Sequence, residues 1–145
     1  MKLPGADPDA ARLTPEYGGG YIGFLEVSHH MHCLNMLRQA IFKDYYTKEP
    51  HIAVLFGGRP FTVKIHIQHC LEMLRQNILC TADVGVITHQ WIQQSPDPFA
   101  NFNTYHKCRD IDAVEKWIHD HEIPDTPGGI NLPIPLDSKI YARPP

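Results

Sequence analysis

The chain contains no run approaching the eighteen or so apolar residues that a bilayer-spanning helix needs, and residues 1–15 lack the apolar stretch of a secretory leader. As written, it reads as a soluble chain. It has no cationic excess: 13 Lys and Arg stand against 16 Asp and Glu, for a net charge of −3. Phosphate neutralisation needs clustered Lys and Arg, so nucleic acid is not an expected partner. Cysteine is scarce. Cys33, Cys70, Cys80 and Cys108 are too few for a disulfide-dense scaffold and enough for one or two bridges. No CxxC knuckle and no HExxH helix occurs, which removes the usual zinc-knuckle and zincin metalloprotease patterns. With 43% hydrophobic residues in 145, one globular domain can bury a core of its own.

What the chain does contain is one eleven-residue block written twice. His29-His30-Met31-His32-Cys33-Leu34-Asn35-Met36-Leu37-Arg38-Gln39 returns 37 residues later as His66-Ile67-Gln68-His69-Cys70-Leu71-Glu72-Met73-Leu74-Arg75-Gln76, identical at eight of eleven positions. The shared pattern is HxxHCLxMLRQ. Leu34, Leu37, Ile41 and Tyr45 recur at spacings of three and four, which predicts a helix within residues 21–46. Leu71, Leu74 and Ile78 repeat the first three under the same shift, and a second helix is expected to start between residues 61 and 64. The two helices should pack as pseudo-symmetric partners, with those leucines and isoleucines as the contact face.

The remainder is punctuated differently. Residues 1–20 hold three prolines and four glycines and read as an irregular arm. Residues 51–61 suit a turn or short extended piece between the helices. Residues 80–103, rich in Gln, Asn, Pro, Asp and aromatics, read as a long ordered loop, and loops of that length in compact domains are often functional. A third helix is expected over residues 112–121, where Asp112 and Glu115 can form a capping box and Ala113, Trp117 and Ile118 give an apolar face. Pro124 and Pro127 stop it. The expectation is a mainly α domain over residues 21–123, with the arm at 1–20 and a proline-rich tail at 124–145.

On a helix, residues three and four apart share a face, with Cβ atoms roughly 5–6 Å apart. His29, His32 and Cys33 therefore share one face and His66, His69 and Cys70 another. Two such helices can bring four imidazoles to one metal ion or two to each of a close pair. Imidazole suits Cu, Zn, Fe and Ni, and copper binds most tightly of the divalent series; a structural Cys/His zinc site is the rival. A lone histidine on an apolar face is usually a core or capping residue, but two HxxHC blocks in register are hard to explain that way. For Cys33 and Cys70, buried thiols, a helix-to-helix disulfide and metal ligands all stay open. His106 can reach the site as an additional ligand or acid–base group, or simply stand on a surface loop. Arg38, Gln39, Arg75 and Gln76 recur with the site but lie one to two turns beyond it, and read as solvated or paired with carboxylates such as Asp44, Glu72 or Asp83.

The run Gly20-Tyr21-Ile22-Gly23-Phe24-Leu25-Glu26-Val27 leading into His29, the two HxxHC blocks, Cys80-Thr81-Ala82-Asp83-Val84 and His106-Lys107-Cys108-Arg109-Asp110 together resemble the UstYa-like family of fungal biosynthetic proteins. The likeness spans residues 20–121. It implies a copper-dependent oxidative tailoring enzyme that acts on ribosomal peptides or other secondary metabolites by cyclisation, hydroxylation, dehydrogenation or halogenation. Carried over by position, the metal ligands are His29, His32, His66 and His69, with Cys33 and Cys70 completing the motifs. Cys80 and Cys108 fall at recurrent family cysteines, and the resemblance implies a Cys80–Cys108 bridge. Relatives typically carry an N-terminal membrane anchor and a longer segment before the Gly-Tyr run, where about twenty residues stand here. A trimmed protein of the secretory lumen and a short cytoplasmic one are the two locations this leaves.

The functional expectation is therefore O₂ activation by one copper ion or a close pair on the four histidines, followed by C–H or O–H oxidation of a small-molecule or peptide natural product. Trp91, Phe99, Phe102 and Tyr105 on the long loop can wall the pocket or serve as simple packing. Two rivals remain: a non-redox cyclase, isomerase or dehydratase using the histidines as general acids and bases, and a structural zinc or copper-carrier module working through a partner protein. A homodimer is the expected assembly if an apolar helix face is left over.

Overall fold

A computed structural model of the chain describes residues 9–48, 60–123 and 132–143. Among them the protein is mainly helical, with α1 at Glu26–Ile41, α2 at Lys43–Tyr46, α3 at Pro60–Thr81 and α4 at Ile111–Asp120, plus a two-stranded antiparallel sheet of β1, Thr88–Gln90, and β2, Phe99–Asn101. The turn expected over residues 51–61 lies almost wholly outside the described residues. The first helix begins at Glu26, later than the earliest start the sequence allowed, because Gly20 and Gly23 sit in that stretch and glycine loses most entropy on entering a helix. Phe42, at φ −99° and ψ 37°, leaves the helical region and splits the expected run into α1 and the single turn α2. α3 stops where Ala82 turns left-handed at φ 38°.

The chain divides into two compact units, residues 26–111 and residues 1–25 with 112–145. In the first, α1 packs along α3 and their contact holds the core of Cys33, Met36 and Cys70, flanked by Leu37, Val63, Met73 and Leu74. The stripe matches the leucine spacing only in part: Leu37 and Leu74 pack against this core, whereas Leu34, Ile41, Tyr45, Leu71 and Ile78 are exposed. The half-buried His29 and His66 lie on the same side as Cys33, Met36 and Cys70, and the exposed His32 and His69 border solvent. In the second unit, the arm folds back on itself through the Pro15–Tyr17 3₁₀ turn, Leu13 N–H to Gly20 O at 2.7 Å and Ile22 N–H to Ala11 O at 2.9 Å. The tail meets the arm through ion pairs of Arg12 with Asp137 and Lys139 with Asp9, and the Tyr141 hydroxyl donates to Asp9 at 3.0 Å. No helix among the described residues is long and apolar enough to cross a membrane.

Candidate metal centre

The 37-residue shift that relates the sequence blocks also relates the side chains in space. Across the α1–α3 contact His29 faces His69, with ring centroids 5.5 Å apart, and His32 faces His66 at 5.4 Å. The shift turns each pair into the other, so the four imidazoles are arranged about a local two-fold axis. Burial follows the same symmetry: His29 and His66 are half-buried, while His32 and His69 are exposed. The second histidine of each block thus borders solvent, and the first lies deeper against the core.

The Nε2 atoms of His32 and His66 approach to 3.4 Å. Two nitrogens at 2.0–2.1 Å from one ion in a tetrahedral set stand roughly 3.3–3.4 Å apart, so this pair already has the spacing a shared ion requires. Cys70 Sγ joins them: the ligand atoms of His32, His66 and Cys70 all lie within 4.8 Å of one another. On the other side Cys33 Sγ is 3.7 Å from His29 Nε2. Burial, and then the positive ends of His32, His69 and His29, push the His66 pKa below its ordinary value, which keeps that imidazole in the neutral form a metal needs. Burial, followed by a hydrogen bond with Cys33, pushes the Cys70 thiol up to about 12, so in the absence of a cation the Cys70 sulfur stays protonated. The donor set fits an N-rich transition-metal site with one sulfur in reach.

Other expected residues lie elsewhere. His106 is outside this group of three: its Nδ1 is 3.2 Å from Asp83 Oδ2 and its Nε2 is 3.0 Å from Thr104 Oγ1, which ties the loop before α4 to the end of α3. Asp83 also accepts from the Gly85 N–H at 2.8 Å, the first of the causes that hold its carboxyl low. All four cysteines are free thiols in this structure, Cys33 and Cys70 buried and Cys80 and Cys108 exposed. Trp91, Phe99, Phe102 and Tyr105 are exposed, and Tyr105 stands fully in solvent; they do not wall a pocket over the histidines, since the β1–β2 hairpin they flank packs too little of them. Gln39 departs from the solvated reading of the Arg-Gln endings: it is buried, with its carbonyl oxygen unpaired. Position 39 lies one turn beyond Met36 on the buried side, a placement the helical period could have shown.

Residues 2–121 match the family profile of the mycotoxin biosynthesis protein UstYa. The UstYa family oxidase aprY of Aspergillus flavus is 36% identical over 146 residues, which covers 97% of this chain and 43% of that protein. The UstYa family oxidase phomYc' of Diaporthe leptostromiformis is 34% identical over 110 residues, 75% of this chain and 42% of that protein. A more distant relative, 27% identical over 77% of this chain and 39% of its own length, is the transacylase cctO of Talaromyces islandicus. This chain therefore spans about two fifths of the length of the curated relatives it matches. No solved structure matches it. The paired HxxHC helices and the profile match over nearly the whole chain lead to one conclusion: the chain belongs to the UstYa family of fungal mycotoxin biosynthesis proteins.

Proposed function

We propose that the chain carries the metal-dependent oxidative centre of a tailoring enzyme in fungal secondary metabolism, with His29, His32, His66 and His69 holding copper and a small-molecule or peptide natural product as substrate. The observation that carries this is the 3.4 Å approach of His32 and His66 within a two-fold set of four imidazoles. Copper bound there supplies a one-electron couple through which O₂ can oxidise a C–H or O–H bond. The protein's own part is geometric. The half-buried His29 and His66 take the inner positions, and the exposed His32 and His69 leave the outer side open to a substrate. An open outer side distinguishes a catalytic site from a closed structural one. The relatives named as oxidases support the redox assignment. Metal content and stoichiometry, measured on protein prepared without added metal, test it together with His29→Ala and His69→Ala. Each variant should bind less than one tenth of the wild-type copper and lose at least 10²-fold in turnover. Undiminished metal and activity in both would sink the reading.

A second reading rests on the relative named a transacylase and on the neutral His66. A neutral, half-buried imidazole can take and return a proton, which is enough for a non-redox acyl shift or cyclisation. Turnover that persists without O₂ and with a chelator present would favour it. For assembly we propose a homodimer, built on the exposed apolar residues of α1 and α3.

A further inference from the structure

We propose that Cys33 and Cys70 are a covalent modification site: the two thiols close as an interhelical disulfide beneath the histidine cluster, leaving imidazole as the one donor type on that face. The symmetry of the site leads there. His29–His69 and His32–His66 exchange under the 37-residue shift, whereas Cys33 maps onto Cys70, its own contact partner. The cysteine pair therefore sits at the local two-fold, where equivalent residues of α1 and α3 meet. Both side chains are 0% exposed and packed on Met36, Leu37, Val63, Met73 and Leu74, with His29 Nε2 3.7 Å from Cys33 Sγ and the two thiols in contact with each other. A disulfide suits that environment because it carries no charge and has no hydrogen-bond donor to satisfy, while a thiolate there is opposed by its surroundings. Cys80 and Cys108, by contrast, are exposed.

The oxidant is a low-molecular-weight disulfide such as oxidised glutathione. One cysteine thiolate attacks it, releasing one thiol and leaving a mixed disulfide; the second cysteine displaces the other half. Two protein thiols are oxidised, two oxidant thiols are formed, and the two cysteine protons end on them. Since neither sulfur is accessible once α1 and α3 have packed, the exchange belongs to folding or to an opened state, and the finished bond is shielded from reductant. The consequence for the site rests on the histidine reading above. With Cys70 withdrawn, the group of His32, His66 and Cys70 loses its sulfur, and the ligand set becomes the four imidazoles.

The full chain is equilibrated with reduced and oxidised glutathione in moderate urea and EDTA, diluted to native conditions, alkylated in denaturant and digested. The Cys33 and Cys70 peptides should be recovered joined, about 2 Da lighter than the two thiol peptides together. The bond should resist dithiothreitol until denaturant is added. The double variant Cys33→Ser, Cys70→Ser should melt lower by on the order of 10 °C than the oxidised wild type. Recovery of both peptides separately alkylated, or of Cys33 joined to Cys80 or Cys108, overturns the proposal. Metal content read on the same oxidised sample, after EDTA is removed and copper is added and the excess dialysed away, keeps the two readings apart. A cross-linked chain that binds no metal refutes the histidine site and leaves the disulfide standing; a metal-binding chain with both thiols alkylated does the reverse.

Discussion

At the scale of single residues, the duplicated block separates into parts with different work. Arg75 binds Glu72 at 2.6 Å, and that hydrogen bond, with a second from Gln76, draws the Glu72 carboxyl down to about 2. Arg38 instead donates to Asn35 at 2.8 Å and lies over the Tyr46 ring. Both arginines are therefore engaged on their own side of the helix pair, away from the histidines. Arg75→Ala should leave metal content unchanged and shift stability by no more than about 1 kcal/mol, as exposed pairs do; a loss of metal in that variant would give the arginine a role at the site. His66 behaves differently. Burial first, and then His32, His69 and His29, hold its folded pKa below the 6.5 of a free imidazole. Between those two values the unfolded chain binds more protons than the folded one, so stability rises with pH in that window. In metal-free protein, that contribution is fully present above pH 6.5 and is lost as pH falls through and below it. Melting curves in EDTA from pH 7.5 to 5 should show the decline, and His66→Gln should flatten it.

At the scale of elements, the α1–α3 contact carries the fold of its unit and the β1–β2 hairpin carries little. Met36 is buried against Cys33 and Cys70, so Met36→Ala should cost about 2–4 kcal/mol, whereas Phe102→Ala, on an exposed side chain, should cost less than about 1 kcal/mol; denaturant melts of the two variants check the contrast. Both long helices were legible in the sequence because a 3.6-residue period survives over four or more turns. Their contact face was legible only in part, through Leu37 and Leu74, for a physical reason. Leucine and isoleucine attract attention as packing residues, yet here the interior is built of Cys, Met and the inner histidines, and periodicity alone does not say which of two apolar stripes turns inward. The hairpin was illegible too: Thr88–Gln90 and Phe99–Asn101 are three residues each, too short for alternation to register, and they look like the loop that surrounds them. The histidine site was readable as a set of residues, since HxxH fixes a face. The pairing of His29 with His69 and His32 with His66 needed the helix crossing.

At the scale of the whole molecule, the apolar stripe left over on the two helices sets the last expectation. α3 buries Val63, Cys70, Met73 and Leu74 on one side and exposes Phe61, Ile65, Leu71, Ile78 and Leu79 on the rest. Together with Leu34 at 53% and Ile41 at 76% exposure on α1, these apolar side chains stand beside the polar Glu72 and Arg75 of α3 and offer contact surface to a second copy of the chain. Leu34 repeats as Leu71 and Ile41 as Ile78 under the 37-residue shift, so both helices offer the same residue types to a second copy. Sedimentation velocity at micromolar concentration should then find a dimer. Ile41→Lys with Ile78→Lys should convert it to a monomer whose metal content is unchanged, because both residues are exposed and lie outside the His32, His66, Cys70 group. A wild-type monomer across that concentration range would instead assign the stripe to another occupant, and a dimer unmoved by the double substitution would place the interface elsewhere on the chain.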